Sequence, residues 1–164
     1  MQLIESDYRD KPIRLAYSKD ELFAVPSNLY IIGMMNTADR SLAMIDYALR
    51  RRFSFFEMKP GFESQGFDVY RSNISSPYFD KLVDAVKAIN NDILKEDSLG
   101  KGFLIGHSYL IQPIYGDDRD ENLFDYEMTE SIVEYDLIPL VEEYWFDNET
   151  RLNEAKNKLL DVLK

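Results

Sequence analysis

The chain of 164 residues contains no cysteine and a single histidine, His107. The absence of cysteine excludes a disulfide framework and any metal site built on thiolates. No apolar run reaches the length of about 20 residues that a transmembrane helix needs, and no apolar core of a secretory signal peptide is present. We therefore expect a cytoplasmic protein that does not enter a membrane and holds no metal of its own.

Positive charge is scarce and unevenly distributed. The formal net charge is −11, from 19 basic and 30 acidic side chains. Proteins bind nucleic acid largely by neutralising phosphates with Lys and Arg, so this chain is not expected to bind DNA through its own surface. Four arginines nevertheless lie within a short stretch, at Arg40, Arg50, Arg51 and Arg52.

Apolar residues are abundant enough for a core, at 45% of the chain, with 13% aromatic. Two β-like runs over 13–17 and 22–25, separated by a polar turn, predict a hairpin. Residues 29–35 are apolar nearly throughout, which is typical of a strand covered on both faces. Helical spacing over 41–49 and a β-like run at 53–56 follow. Strand, helix and strand in this order indicate an α/β fold.

The composition changes after Pro60 and Gly61. Residues 61–77 read as a linker that carries a weak helix. Residues 125–146 are helix-like, with an interruption expected at Pro139, and a last helix begins near Asn148. A helical stripe and an aromatic cluster predict the core of this part: Phe79, Leu82, Val83, Val86, Ile89, Ile93, Leu94, Tyr144, Trp145 and Phe146. The expected organisation is an α/β part over 1–60, a linker over 61–77 and a helical part over 78–164.

Two groups of residues are candidates for phosphate chemistry. Asn36 ends the predicted strand, where α/β domains present polar groups to ligands. A turn residue bonded to local backbone is the alternative for this amide. The arginines from Arg50 to Arg52 could reach the phosphate of a neighbouring subunit, or could be a solvated helix end.

Two patterns of nucleotide hydrolases are absent. The chain has no Gly-x-x-x-x-Gly-Lys-Ser/Thr loop to bind phosphates and no apolar strand ending in Asp-Glu to hold magnesium. By itself the chain should therefore not hydrolyse nucleotide. A Ser-His-Asp hydrolase is also excluded, because Ser108 is adjacent to His107 and no nucleophile elbow is present.

Four ordered motifs carry a specific resemblance. They are Met-Asn-Thr-Ala-Asp-Arg-Ser at 35–41, Asp-Tyr-Ala-Leu-Arg-Arg-Arg-Phe at 46–53, Gly-Phe-Leu-Ile-Gly-His-Ser-Tyr at 102–109 and Glu-Glu-Tyr-Trp-Phe-Asp at 142–147. Together they resemble the C-terminal part of the AAA+ motor module of the McrB family, the nucleotide-hydrolysing subunits of 5-methylcytosine-specific restriction systems. The resemblance covers nearly the whole chain. It implies a partial α/β AAA+ core, with hairpin, sensor strand, arginine-finger helix and following strand, and then an all-helical lid.

The resemblance also implies roles for single residues. Asn36 resembles sensor 1, and Arg51 resembles an arginine finger that acts in the neighbouring subunit's site. Arg52 would hold this finger or add a second contact, which completes the catalytic set. A further set would lie near the nucleotide or behind the residues that contact it: Asp39, Arg40, Asp46, His107 and Ser108.

Three of these residues keep alternative roles. Asp39 could cap the helix that begins near Ser41, and Asp46 has the spacing of a helix pair with Arg50. His107 lies in the segment where AAA+ lids usually carry a sensor-2 arginine. Since this segment contains no arginine, a structural role for His107 is equally open.

The resemblance implies substrates and partners for a longer parent protein. GTP or ATP with magnesium would be its nucleotide, with none bound to this chain alone. Identical subunits in a hexameric ring, a McrC-like nuclease subunit, and DNA held by a domain absent from this chain would be its partners. The alternatives are an AAA+ chaperone motor of MoxR type and a non-catalytic, lid-like interaction module.

Overall fold

The computed structural model describes residues 2–36, 50–111 and 124–164. Contacts between residues divide the chain into two compact units, Met1–Glu57 and Met58–Lys164. The division lies close to Pro60, while the proposed segments 1–60, 61–77 and 78–164 stay predictions. Within the described residues, no helix combines the length and apolarity needed to cross a membrane.

The first unit contains an antiparallel hairpin. Strand β1 (Ile13–Leu15) pairs with strand β2 (Ser18–Phe23), and Ile13 lies opposite Phe23. The predicted hairpin is therefore confirmed, but its turn lies two residues earlier than the polar run suggested, before Ser18. The polar run belongs to β2 instead.

The strands predicted over 29–35 and 53–56 are not present. In residues 2–36, 50–111 and 124–164, strands occur only in the hairpin. Exposure of the first run alternates as in a strand: Tyr30, Ile32 and Met34 are 89% to 98% exposed, and Leu29, Ile31 and Met35 are 43% to 48% exposed. A strand also needs a neighbour with which to exchange hydrogen bonds, and the described residues provide none for this segment. The helix predicted over 41–49 lies outside the described residues.

The second unit is helical. Its α-helices are α1 (Gln65–Ser72), α2 (Pro77–Ile93), α3 (Tyr126–Ser131), α4 (Ile138–Tyr144) and α5 (Glu149–Leu160). Four of them begin at a side chain whose oxygen accepts a hydrogen bond from a backbone N–H of the first turn; these caps are Ser64, Ser76, Asp125 and Asn148. Each cap satisfies one of the free N–H groups at its helix start. Short 3-10 turns, Lys101–Phe103 and His107–Leu110, lie between α2 and α3.

Pro139 interrupts the helix over 125–146, as the sequence predicts. A π-helix (Ile132–Leu137) separates α3 from α4, and Pro139 stands in the first turn of α4. Proline has no N–H to donate and its ring clashes with the preceding turn, so the helix has to change its hydrogen-bond pattern before it. The backbone N–H of Ile138 accordingly donates to Val133, five residues back.

The predicted stripe of α2 faces the core. The buried members are Phe79, Leu82, Val83, Val86, Ile89 and Ile93, and they pack with Trp145, Ala155 and Leu159. Two predictions are wrong. Leu94 follows the end of α2 and is half exposed, and Phe146 is 81% exposed because the helix ends at Tyr144. Phe62 and Phe67 extend the core into the segment read as a linker.

Asp92 links α2 to α5 and gives the unit an acid-sensitive contact. Its carboxylate accepts hydrogen bonds from Lys158 and, at 3.3 Å, from Lys95. Burial alone would raise the pKa of Asp92, but the two lysines outweigh burial and hold it below the usual 3.8. A lowered pKa in the folded state contributes stability above the unfolded value, and this stability is lost as pH falls through the folded value.

We therefore expect Asp92→Asn to lower the free energy of unfolding by about 1 kcal/mol at neutral pH. The gap between the variant and the parent should narrow as pH falls below 3.8 and should close as the carboxyl of the folded parent protonates at its lower pKa. Urea denaturation at pH 7 and pH 3 measures both values. A gap that is as large at the lower pH contradicts this assignment.

Candidate functional site

The first unit carries the candidate phosphate-contacting residues. Asn36 ends the described part of its segment and is exposed, as are Arg50 and Arg51 where the chain is again described. Arg52 is different, because its side chain is only 18% exposed and donates to Glu5 Oε1 from Nε at 2.6 Å and from Nη2 at 2.5 Å. Arg52 therefore links residues 50–52 to Glu5, near the start of the chain.

A small open cleft brings the two candidate segments together. Its lining includes Leu29, Tyr30 and Ile31 from the run that leads to Asn36, and Arg52, Phe53 and Ser54 from the run that follows Arg51. Arg9 also lines the cleft and donates to the carbonyl of Pro26 at 3.3 Å. Residues 29–31 thus lie beside residues 52–54. Asp39, Arg40 and Asp46 lie outside the described residues.

His107, in the second unit, contacts the chain at Gly61. The N–H of Gly61 donates to Nδ1 of His107 at 2.9 Å. The imidazole meets the rings of Phe62 and Phe67 edge to face, with centroids 6.1 Å and 5.9 Å away. A Cβ at Gly61 would lie 2.8 Å from His107 Cε1, so only glycine allows the ring this close. Ser108, the next residue, is exposed.

Asn90 positions the segment that carries His107. It is buried in α2, its Oδ1 accepts from the N–H of Ile105 at 2.7 Å, and its Nδ2 donates to the carbonyl of Ile105 at 2.9 Å. One amide side chain therefore satisfies both backbone groups of a buried residue. Sequence reasoning missed Asn90, although its signal is present: it is a polar residue between Ile89 and Ile93 on an apolar helix face.

The described residues contain no group of three or more His, Cys, Asp or Glu side chains that could hold a metal ion. Chemically, the arrangement offers an exposed amide and two exposed guanidinium groups, all suited to phosphate oxygens. It also offers an imidazole whose Nδ1 is engaged with backbone.

Comparison with known proteins identifies the family. The model of the family described as McrB, alpha-helical lid domain, matches residues 81–153. The Type IV methyl-directed restriction enzyme EcoKMcrB subunit of Escherichia coli (strain K12) is 42% identical over 167 residues, which cover 98% of this chain and 36% of that protein. The chain thus spans about a third of the length of this curated relative. The chain belongs to the McrB family, and residues 81–153, which include α3, α4 and most of α2, correspond to its α-helical lid domain.

Proposed function

We propose that the chain is part of a nucleotide-hydrolysing motor subunit that drives methylation-dependent DNA restriction. The observation that carries the proposal is the 42% identity to a methyl-directed restriction enzyme subunit across 98% of the chain. The match therefore extends beyond the lid to the segments that carry Asn36 and Arg51. The comparisons do not favour a MoxR-type chaperone motor or a non-catalytic lid-like module.

The proposed roles of the first unit follow from chemistry and exposure. Asn36 would orient the attacking water against the γ-phosphate, as a sensor-1 amide can. Arg51 is exposed and would stabilise the charge that develops on the phosphate oxygens in a neighbouring subunit's site. Arg52 would position this finger, because its own guanidinium is engaged by Glu5. Asp39, Arg40 and Asp46 would complete the surroundings of the nucleotide.

The substrate would be GTP or ATP with magnesium, bound by motifs that lie elsewhere in the longer protein. Identical subunits would form a hexameric ring, so that each finger reaches the next site, and a McrC-like nuclease subunit would cut the DNA. Charge supports the placement of DNA recognition in another domain. Residues 58–164 carry 22 acidic and 11 basic side chains, whereas residues 1–57 carry eight of each. An acidic lid repels the phosphate backbone.

Exposed apolar side chains support a larger α/β core around the first unit. Tyr30, Ile32 and Met34 form one nearly fully exposed row in the segment that leads to Asn36. Such a row is unfavourable in water and is typical of a surface that another element covers. We propose that further strands of the AAA+ core cover it in the longer protein.

Steady-state hydrolysis of GTP and of ATP by the longer protein tests the proposed function. We expect turnover of one of the two nucleotides, and cleavage of methylated DNA when the nuclease subunit and that nucleotide are both present. Unmethylated DNA of the same sequence is the matched control. If neither nucleotide is hydrolysed, with or without the nuclease subunit and methylated DNA, the proposal is wrong.

A further inference from the structure

We propose that His107 is a positioning residue that latches the start of the helical unit through Nδ1. The latch consists of the His107 imidazole, the backbone of Gly61, and the rings of Phe62 and Phe67 around them. It joins residues that lie 46 positions apart in the sequence. Gly61 immediately follows Pro60, in the stretch where the chain enters this unit. The latch therefore holds that stretch against the lid.

The hydrogen bond fixes the form of the imidazole. Nδ1 accepts from the Gly61 N–H, so Nδ1 carries no proton and the neutral ring bears its proton on Nε2. In this tautomer, Nδ1 of the imidazole accepts a hydrogen bond from a backbone N–H. Among the hydrogen bonds of the described residues, none involves Nε2. The hydrogen-bond partner of the His107 ring is thus the backbone N–H of Gly61, at Nδ1.

Packing around the ring is as specific as the hydrogen bond. The two phenylalanine rings meet the imidazole edge to face, at interplanar angles of 70° and 90°. Gly61 leaves no room between its α-carbon and the ring, since an added Cβ would approach Cε1 to 2.8 Å. Steric fit and hydrogen bonding therefore select glycine at one position and histidine at the other.

Asn90 holds the segment that carries His107 in place. It holds both backbone groups of Ile105, two residues before His107, against helix α2. The 3-10 turn that contains His107 is consequently anchored to the longest helix of the unit. The order of support runs from α2 through Asn90 and Ile105 to His107, and from His107 to Gly61. A change at either end of this series should release the stretch at Gly61.

The latched stretch connects the lid to the part of the chain that bears Asn36 and Arg51. Only the importance of this connection rests on the proposed function. Hydrogen exchange, unfolding and NMR of the latch are measured on the 164-residue chain without nucleotide. Their failure would therefore leave the motor assignment untouched, and failure of nucleotide hydrolysis would leave the latch untouched.

Two substitutions separate the edges of the ring. In His107→Asn the amide oxygen lies near the position of Nδ1, whereas in His107→Gln the amide lies near that of Nε2. We expect hydrogen exchange at the Gly61 amide to stay within about threefold of the parent in the Asn variant, and to accelerate at least about tenfold in the Gln variant. Slow exchange in the Gln variant with fast exchange in the Asn variant would assign the role to Nε2 and overturn the latch.

A double-mutant cycle tests the contact independently of any single variant. Gly61→Ala should raise the unfolding equilibrium constant at least about tenfold in the parent, and less than about threefold when His107 is already alanine. Gly66→Ala is the matched control, because a Cβ there meets nothing within 4 Å. Equal costs of Gly61→Ala in both backgrounds would show that the glycine is needed for another reason.

Nitrogen-15 NMR of the imidazole reads the tautomer directly. The latch requires a proton on Nε2 and none on Nδ1 at neutral pH in the folded chain. In the Gly61→Ala variant we expect the Nδ1 resonance to shift away from its hydrogen-bonded position. A ring protonated on Nδ1 in the parent would overturn the proposal. An Nδ1 chemical shift that is the same in the Gly61→Ala variant and in the parent would also overturn it.

Discussion

Arg51→Ala should reduce steady-state nucleotide hydrolysis by the longer protein at least about a hundredfold while nucleotide binding is retained. A guanidinium that meets the transferred phosphate only as charge develops stabilises the transition state more than the bound substrate. A hundredfold loss corresponds to about 2.7 kcal/mol of activation free energy. Turnover and equilibrium nucleotide affinity, measured on the same preparation, separate the two effects.

Substitution of Arg50 provides the matched control for Arg51→Ala. Arg50 is exposed, adjacent and of the same type, so Arg50→Ala removes the same charge from the same segment. We expect it to change turnover by less than about threefold. If both substitutions reduce turnover equally, the segment acts through its overall charge. If Arg51→Ala leaves turnover unchanged, Arg51 is a solvated residue and the finger assignment is wrong.

Asn90→Leu should be among the most destabilising single substitutions in the helical unit. Leucine has the same number and branching of side-chain heavy atoms, but it leaves the N–H and the carbonyl of Ile105 without the partners they have in the folded chain. Each buried polar group without a partner costs about 1–3 kcal/mol. We expect a loss of about 3 kcal/mol or more, and a melting temperature lower by about 10 °C. Thermal and urea denaturation of the 164-residue chain measure both quantities.

Asn91→Leu is the control for that substitution, since Asn91 is the adjacent residue of α2 and is exposed. It makes the same chemical change without uncovering any buried group, so we expect a change below about 0.5 kcal/mol. Comparable losses in the two variants would mean that leucine is poorly tolerated by the helix itself. Unaltered stability of Asn90→Leu would mean that water readily replaces the amide at Ile105.

The helical unit was largely predictable from the sequence because its signals are local. Apolar spacing gave the buried face of α2, and Pro139 marked the change in hydrogen-bond pattern between α3 and α4. Both depend on residues within one or two turns of each other. The errors at Leu94 and Phe146 lie just beyond helix ends, where spacing no longer determines which way a side chain points.

The contacts within the helical unit were less predictable because they join distant residues. The sequence marks His107 as unusual, yet its partner Gly61 lies 46 residues away, and Asn90 reaches Ile105 across 15 residues. No local pattern encodes either pairing. In the first unit, the apolar run over 29–35 predicted a strand covered on both faces, but no strand forms there and Tyr30, Ile32 and Met34 are nearly fully exposed. It could not supply the neighbouring strands that would complete a sheet.

Mixing two inactive variants of the longer protein tests whether Arg51 completes the nucleotide site of a neighbouring subunit. Arg51→Ala lacks the finger but retains Asn36, and Asn36→Ala lacks the sensor but retains Arg51. In a randomly mixed ring, roughly a quarter of the interfaces combine an intact sensor with an intact finger from the next subunit. If Arg51 acts in the neighbouring subunit's site, mixing restores a corresponding part of the hydrolysis. A mixture as inactive as either variant alone would contradict it, because both residues would then serve the same subunit's site.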